Sequence, residues 1–244
     1  MPYGDAAHVM TVDSAGRRPE TATAWWDDFC ARNHIQLGLG PWGEKRTVYT
    51  DEAFRSRFVE GERRVHHLGL DLFMPAGTPV YTPLAATVRS VEIEAVPLGY
   101  GGLIALEHEP EGRPPFITLW GHMAHEAVSR LKPGDRLAAG ELVGHMGDMH
   151  ENGGWTPHLH FQISTDTSLS ATEILGVGES AYLDVYGPIF SLMQHLLPAF
   201  RRKLSSRAGA RGPRLSACAR KCFCPTSPFP IPTRSSSCAA MASG

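Results

Sequence analysis

The sequence predicts a mainly β domain with a few short helices. From His66 to Ser164, short runs rich in β-branched and apolar residues follow one another, with clusters of Gly, Pro or Asn between them. Helical spacing of apolar residues is confined to short segments outside this region. The chain has 244 residues and is 42% hydrophobic and 20% charged, which is ordinary for a packed globular protein. Several short strands separated by turns are typical of a sandwich or a barrel.

Two short helical segments precede the strands. Residues 24–35, AWWDDFCARNHI, place Trp25, Phe29 and Ile35 at nearly helical spacing. The segment TDEAFRSRF, from Thr50, begins with acidic residues that favour the first turn of a helix. We therefore expect residues 1–60 to form an N-terminal extension with short helices.

Seven strands are predicted in the body of the chain, residues 61–186. In chain order their sequences are LDLF, TPVYTP, ATVRSVEIEA, LIALEHE, FITLWGHM, ELVGHMG and HLHFQIS. SATEILG near residue 170 and IFSLMQHLLPAF near residue 190 are expected to be short helices that close the domain.

The C-terminal part of the chain differs from the body in charge. No acidic residue follows Asp184, whereas nine of the 23 basic residues do, so the chain up to and including Asp184 holds 14 basic and 25 acidic residues. The tail is also rich in Ser, Pro, Ala and Gly without any periodicity. We expect residues 187–244 to form a short helix and a disordered basic tail. Such a tail can bind nucleic acid or a membrane surface, but we expect an accidental extension and no nucleic-acid partner.

Cysteine usage and hydropathy bear on the compartment. One cysteine, Cys30, precedes the body, and the tail holds Cys218, Cys222, Cys224 and Cys238. This is neither the dispersed pattern of a disulfide-stapled secreted domain nor the paired CxxC spacing of a structural zinc module. No apolar run reaches the roughly 18 residues of a membrane span, and the first residues lack the apolar run of a secretory signal. The chain as it stands is expected to be cytoplasmic, or extracellular or periplasmic if an N-terminal signal is missing.

One strand carries two histidines on the same face. Side chains alternate along a strand, so His158 and His160 of HLHFQIS project together, roughly 7 Å apart. One of them can bind a metal while its neighbour addresses a substrate.

A second motif, HxxxD, lies further upstream at His67 and Asp71. Positions i and i+4 of a straight strand are about 13 Å apart, whereas two ligands of one zinc ion each lie about 2 Å from it. The two residues therefore cannot share a straight strand. A bend at Gly69, leading into a strand that begins at Leu70, solves the problem, and the HLH strand is a good source of a third ligand.

Several motifs, in this order, resemble the zinc metallopeptidases of family M23, the LytM and lysostaphin type. They are HLGLDLFMPAGTPVYTPLAATV, GYGG, LEHE, TLWGHM, LKPGDRLAAGELVGHMG and GGWTPHLHFQI. The resemblance covers about residues 64–165. It implies a mainly β barrel-sandwich hybrid, also called the duplicated hybrid motif.

The resemblance also implies site residues and a reaction. The zinc ligands would be His67, Asp71 and His160, with one Zn²⁺ per chain, and His122 and His158 would be the catalytic pair. Two neutral imidazoles and a carboxylate leave zinc an open position, where it lowers the pKa of a bound water from 15.7 toward about 7 and polarises a carbonyl. The expected function is that of a zinc-dependent metalloendopeptidase, a hydrolase of peptide or amide bonds, with peptides or peptidoglycan crosslinks as substrate. Which catalytic histidine is the base stays open.

The other histidines are weaker candidates. His66 adjoins His67 and is a rival ligand, but the spacing in the family selects His67. The rest are expected in the core, in loops or on the surface: His8, His34, His108, His125, His145, His150 and His195.

Two other function classes fit parts of the sequence. The stretches TPVYTPLAATVRSVEIEA and LKPGDRLAAGELVGHMG also resemble the half-barrels of lipoyl and biotinyl carrier domains. A carrier needs a lysine at a hairpin tip, and none of the four lysines lies in such a hairpin: Lys45, Lys132, Lys203 and Lys221. This likeness therefore concerns the fold. The second alternative is a metal-binding module that recognises peptides or cell-wall fragments without hydrolysing them.

A wider resemblance concerns domain context. Two stretches, from Tyr49 to Phe73 and from Glu151 to Val185, resemble the M23 section of large bacterial fusion proteins, between a kinase-like phosphotransferase domain and a class III, pyridoxal-phosphate-dependent aminotransferase domain. Neither neighbour is present, and the likeness ends near Tyr186, where the acidic residues also end. We therefore expect a fragment with a frameshifted or otherwise aberrant tail and no aminotransferase activity.

Overall fold

Eleven strands and three α-helices make up the described part of the chain, which is residues 19–46, 49 and 51–190 of a computed structural model. The helices are α1 (Pro19–Asn33), α2 (His125–Arg130) and α3 (Leu183–Phe190). The strands are β1 (Gly38–Gly40), β2 (His66–His67), β3 (Leu70–Phe73), β4 (Pro79–Tyr81), β5 (Ala86–Glu94), β6 (Gly101–His108), β7 (Phe116–Met123), β8 (Arg136–Leu137), β9 (Leu142–His145), β10 (His158–Ser164) and β11 (Val177–Gly178). Single 3-10 turns span Glu52–Phe54, Ala171–Glu173 and Ser180–Tyr182.

Seven of the strands form one antiparallel sheet in the order β1-β3-β10-β7-β6-β5-β8. Two small antiparallel pairs accompany it, β11 with β2 and β4 with β9. The strand pair β3 and β10 lies inside the sheet, so it is held from both sides. Asp71 and the HLH motif therefore lie on neighbouring, well-supported strands, whereas His67 lies on β2, outside this sheet.

Strand β6, which lies inside the sheet between β7 and β5, is buried on both faces. Leu103 and Ala105 pack on one face, in a cluster with Leu68, Ile117, Leu119, Ala171, Ile174, Tyr186 and Phe190. Ile104 and Leu106 pack on the other face, in a cluster that includes Val80, Val88, Trp120, Met123, Leu137 and Val143. Burial on both faces explains why this strand is a continuous apolar run rather than an alternating one.

The N-terminal extension packs onto the sheet instead of standing apart from it. β1 adds an edge strand next to β3, and Trp26 of α1 packs against Phe73 with ring centroids 5.4 Å apart. The Trp26 ring fits because its neighbour is Gly38, where an added Cβ would lie 2.6 Å from that ring. Aromatic residues from the extension and the body thus form one cluster: Trp26, Tyr49, Phe54, Phe73 and Trp155. The domain boundaries at residues 61 and 186 stay predictions.

The prediction of a mainly β domain with short helices is confirmed, and each of the seven predicted strand segments contains a strand. The helix predicted at residues 24–35 is present as α1, which begins at Pro19 and ends at Asn33. TDEAFRSRF and SATEILG form only single 3-10 turns, at Glu52–Phe54 and Ala171–Glu173. Most of the predicted tail, including its four cysteines, lies outside the described residues. No helix in the described ranges is long and apolar enough to cross a membrane.

Candidate functional site

The HxxxD motif is bent where the sequence predicts a bend. β2 ends at His67 and β3 begins at Leu70, so the chain leaves one strand and enters another within two residues. The backbone N–H of Leu68 donates to the carbonyl of Gly176, which anchors the turn to a different part of the chain. The bend allows His67 and Asp71 to approach the same point.

The register between β3 and β10 brings the two motifs together. His160 lies opposite Asp71, and His158 lies opposite Phe73. Because side chains alternate along a strand, all four of these residues are on the same face of the pair. The Phe73 ring stacks on the imidazole of His158, with centroids 4.7 Å apart.

Three buried donor atoms form a nearly regular triangle. His67 Nε2, Asp71 Oδ1 and His160 Nδ1 are each 3.1 Å from the other two. Among the described residues these three form a group that could hold a metal ion. For a tetrahedral ion about 2.0–2.1 Å from each donor, adjacent donors are about 3.3 Å apart, so the triangle has the size of one face of a zinc site.

Gly69 is required for close packing against the candidate ligand His160. An added Cβ at this position would lie 2.4 Å from His160 Cε1 and 2.5 Å from His160 Nε2. The imidazole of His160 therefore occupies the space of the missing side chain. The sequence predicts the need for this glycine from the bend, and the structure adds a second, steric reason.

The far nitrogen of each candidate ligand histidine is held by a protein group. His67 Nδ1 lies 3.0 Å from the carbonyl oxygen of Pro41, and His160 Nε2 lies 2.9 Å from Gln162 Oε1. The Gln162 amide is itself oriented, since its Nε2 donates to the carbonyl of Leu175. When these nitrogens carry the hydrogens, the lone pairs of His67 Nε2 and His160 Nδ1 point to the shared space.

The two candidate catalytic histidines are held by one loop. His122 Nδ1 lies 2.9 Å from the Asn152 carbonyl oxygen, and His158 Nδ1 lies 2.7 Å from the Thr156 carbonyl oxygen. Their ring centroids are 4.2 Å apart. His158 Nε2 lies 3.8 Å from Asp71 Oδ1, so it borders the candidate metal centre without belonging to the triangle.

His122 has an unusual backbone conformation. Its φ is 63°, in the left-handed region that non-glycine residues rarely occupy. The register between β6 and β7 shifts at this point, which places an extra residue on β7. The conformation is held by hydrogen bonds from His122 N–H to the Tyr100 carbonyl and from Gly147 N–H to the His122 carbonyl. Such bulges and strained residues re-aim side chains at functional sites.

Burial and charge in the site keep His67 neutral and Asp71 ionised, the states in which each can bind a metal ion. Burial and the charge of Arg46 lower the pKa of His67 to about 3, so its imidazole is neutral. Burial opposes ionisation of Asp71, but the positive charge of Arg46, whose Nη1 lies 2.7 Å from Asp71 Oδ2, holds the pKa of Asp71 well below its usual value. Burial also lowers the pKa of both His122 and His158. A neutral histidine can accept a proton at neutral pH, as a general base must.

These residues lie at the bottom of a cleft of about 590 Å³. Its walls are mixed, with the aromatic side chains of Phe54, Tyr100 and Trp155 and the cationic side chains of Arg57 and Arg64. Burial raises the pKa of Tyr100 well above its usual value, so its hydroxyl keeps its hydrogen. The cleft therefore offers both apolar surface and hydrogen-bond donors beside the histidines.

The model of peptidase family M23 matches residues 65–171. We refer to residues 65–171 as the M23 domain, after the family that they match. Comparison with curated proteins finds no match.

Several solved structures are similar to the chain. The catalytic domain of the prophage-encoded M23 protein EnpA from Enterococcus faecalis is 23% identical, over 48% of this chain and 79% of that one, with a TM-score of 0.34. A zinc-containing peptidase from Vibrio cholerae is 27% identical, over 45% of this chain and 30% of that one, with a TM-score of 0.33. The catalytic domain of the antimicrobial peptidase lysostaphin from Staphylococcus simulans is 21% identical, over 66% of this chain and 97% of that one, with a TM-score of 0.38.

The M23 domain brings together all five residues that the sequence singles out: His67, Asp71, His122, His158 and His160. The rival ligand His66 points elsewhere, and its ring nitrogens contact Ser180 Oγ and the Gly43 carbonyl oxygen. For the five site residues, the roles of metal ligand and catalytic residue stay predictions.

Four residues near the site were not predicted from the sequence to have a role there: Arg46, Asn152, Gln162 and Tyr100. Gln162 had a usable signal, because it follows His160 by two positions on the same face of β10. Tyr100 lies in the quoted GYGG motif, but that motif by itself assigns it no role. Arg46 and the carbonyl of Asn152 carry no signal, since only the folded chain brings them near the histidines.

Proposed function

We propose that the M23 domain is a zinc-dependent metalloendopeptidase that hydrolyses peptide bonds in peptidoglycan crosslinks. The observation that carries this proposal is the triangle of His67 Nε2, Asp71 Oδ1 and His160 Nδ1, with mutual distances of 3.1 Å, beside two further histidines in an open cleft. A catalytic zinc has three protein ligands and keeps one position for water or substrate, which suits this donor set.

The donor chemistry supports zinc in particular. Two imidazole nitrogens and one carboxylate oxygen are a ligand set of known zinc hydrolases, whereas Ca²⁺ and Mg²⁺ prefer oxygen ligands alone. All three residues are almost fully buried, with exposures of 1%, 1% and 3% for His67, Asp71 and His160. The outer contacts of Pro41 and Gln162 orient the imidazoles, as the partners of zinc-binding histidines do.

Zinc bound there would lower the pKa of a water molecule and polarise the carbonyl of the scissile bond. The chain's own residues would handle the protons. His122 and His158 each direct Nδ1 at a backbone carbonyl, so Nε2 is the nitrogen left to exchange a proton with the attacking water or the leaving amine. Because burial keeps both rings neutral, either one can first act as base and then, once protonated, as acid.

Peptidoglycan as substrate rests on the M23 family resemblance, which implies cleavage of short crossbridges, often at glycine-containing or D-amino-acid bonds. The cleft is lined by the histidines and also by Phe54 and Arg57 of the extension, so a peptide bound at the histidines could contact these side chains as well. Its opening at the surface is consistent with a chain-like substrate that enters from solvent.

Zinc analysis and product detection test the proposal together. The purified protein should contain one zinc per chain and release peptide fragments from peptidoglycan, detected by mass spectrometry. His122→Ala should keep zinc but lose roughly 100- to 10,000-fold in turnover, the usual contribution of a general acid or base.

The matched control is His66→Ala, which removes the neighbouring histidine that faces Ser180 instead. It should keep both zinc and activity. Full activity in His122→Ala would contradict the assigned role. Zinc binding without turnover of any peptidoglycan fragment would favour the alternative of a non-hydrolytic metal-binding module.

A further inference from the structure

A buried arginine from outside residues 65–171 contacts the candidate metal ligands. Arg46 is 9% exposed, and its Nη1 donates to Asp71 Oδ2 at 2.7 Å. Nη1 also lies 3.0 Å from the Tyr49 hydroxyl, and Nε donates to Glu44 Oε2 at 3.0 Å. The guanidinium is therefore clamped by several groups at once, two of them carboxylates.

The two oxygens of Asp71 have different partners. Oδ1 faces His67 Nε2 and His160 Nδ1, each at 3.1 Å, whereas Oδ2 accepts the hydrogen bond from Arg46. Hydrogen bonds between a guanidinium and a carboxylate are among the strongest in proteins. Oδ2 is thus held away from the space that the three donors share.

We propose that Arg46 is a positioning residue that restricts Asp71 to metal binding through a single oxygen. This inference rests on the proposed metal site. A carboxylate can bind a metal through one oxygen or two. By occupying Oδ2, the guanidinium leaves the metal with three protein donors and keeps a fourth position open for water or substrate.

The backbone fixes Arg46 relative to the ligands. Gly43 N–H donates to the His67 carbonyl at 2.6 Å, and His67 N–H donates to the Glu44 carbonyl at 3.0 Å. Arg46 N–H donates to the Val65 carbonyl at 2.8 Å. Residues 43–46 therefore run alongside β2 like a short strand. His67 and Arg46 thus belong to the same hydrogen-bonded unit.

Arg46 also lies close to His67. Its Nη2 is 2.9 Å from His67 Nδ1, the atom that also faces the Pro41 carbonyl oxygen. Arg46 can donate to Nδ1 only when that nitrogen has no hydrogen, which is the tautomer that does not present the Nε2 lone pair. In the other tautomer, which presents the Nε2 lone pair to a metal, Nδ1–H donates to the Pro41 carbonyl oxygen. The Arg46 guanidinium then keeps its hydrogen bonds to Asp71 and Glu44.

The test compares Arg46→Met with wild type after loading with Co²⁺, whose visible absorption is strong in four-coordinate sites and weaker at higher coordination. Wild type should give the strong bands. Arg46→Met frees Oδ2, so its bands should weaken, and zinc affinity, measured against a chelator, should fall about 10- to 100-fold. Arg46→Lys should resemble Arg46→Met, because one ammonium cannot reproduce the fork that reaches Asp71 and Glu44.

Arg89→Met is the matched control, because Arg89 is likewise paired with a carboxylate, that of Glu107, but is only partly buried and lies away from the ligands. It should leave the Co²⁺ spectrum and zinc affinity unchanged. A purely structural role of Arg46 would lower the melting temperature without changing the spectrum. If Arg46→Met does not fold, Glu44→Gln, which loosens the clamp on Nε, should produce a smaller spectral change in the same direction.

Unchanged spectra and zinc affinities within about twofold of wild type in the folded Arg46 variants would overturn the inference while leaving the proposed function intact. If Arg46→Met does not fold, an unchanged spectrum in Glu44→Gln would overturn it in the same way. A wild-type protein that binds neither zinc nor Co²⁺ would overturn both. The two failures are therefore distinguishable in one set of measurements.

Discussion

Two regions of the molecule contain equally buried histidines, but the ring nitrogens of these histidines have different partners. His108, on β6, is 1% exposed, as is His67 in the cleft. Both ring nitrogens of His108 meet protein partners, Nδ1 the Ala85 carbonyl oxygen at 3.0 Å and Nε2 the Thr118 hydroxyl at 2.8 Å. In the cleft, by contrast, His67, His158 and His160 each direct one ring nitrogen at an outer protein group and the other at Asp71.

This difference separates a structural histidine from a candidate ligand. Burial does not distinguish them, and neither does the pKa, which burial lowers for both His108 and His67. The distinguishing feature is the second nitrogen. Around Asp71 Oδ1, three such nitrogens converge, from His67 and His160 at 3.1 Å and from His158 at 3.8 Å. Lone pairs gathered around one carboxylate oxygen suit a cation, whereas a histidine with two protein partners stabilises the core.

The largest effect on the cleft side is expected from Gly69→Ala. The new methyl group would lie 2.4 Å from His160 Cε1, so the ring must move and the donor triangle must open. Zinc affinity should fall by at least about 100-fold, more than for loss of an outer partner. Competition with a chelator measures it. Gly187→Ala is the control, since an added Cβ there meets nothing within 4 Å, and unchanged affinity in Gly69→Ala would contradict the packing argument.

A smaller effect is expected from Gln162→Leu, which removes the outer partner of His160. Without it, the ring can rotate and the hydrogen is no longer fixed on Nε2, so zinc affinity should fall about 10- to 100-fold. Gln162→Glu keeps an acceptor for Nε2–H and should lose less. If Gln162→Leu bound zinc as tightly as wild type, the orienting role of this residue would be wrong.

The smallest effect on the metal site is expected from His108→Leu, which tests the other side of the comparison. This substitution leaves the Ala85 carbonyl without its donor, so the free energy of unfolding should fall by about 1–3 kcal/mol. Zinc affinity and peptidase activity should stay at wild-type values. Urea unfolding and zinc titration measure the two quantities, and a loss of zinc affinity would place His108 in the functional region.

In the same variant, His108→Leu, we expect the free energy of unfolding to depend less steeply on pH. Burial lowers the pKa of His108 below its usual 6.5, so below about pH 6.5 the unfolded chain binds a proton that the folded protein does not. Stability is therefore complete above that pH and declines as the pH falls. His67, His122 and His158 are shifted in the same direction. In His108→Leu the decline should be shallower by up to about 1.4 kcal/mol per pH unit, and an equal slope would contradict the shift.

Local patterns account for much of the fold. The predicted strands and the helix α1 follow from periodicity and turn residues, which act within a few positions of the chain. The strands that the sequence missed are short, as in β2, β8 and β11, and their pairing depends on partners far along the chain. The segment TDEAFRSRF begins with residues that favour the first turn of a helix. Its Phe54 packs in the aromatic cluster, and the helix ends there after a single 3-10 turn.

What the sequence determined by itself was the set of chemical groups at the site: the HxxxD and HLH motifs, the glycine between His67 and Asp71, and their order on β strands. Only the tertiary structure decided how these groups are arranged. The register that sets His160 opposite Asp71, the ring nitrogen that each histidine presents, and the contact of Arg46 with Asp71 Oδ2 join residues that are distant in the chain. Sequence spacing constrains neighbours on one strand, whereas hydrogen bonds between distant segments depend on the packing of the whole domain.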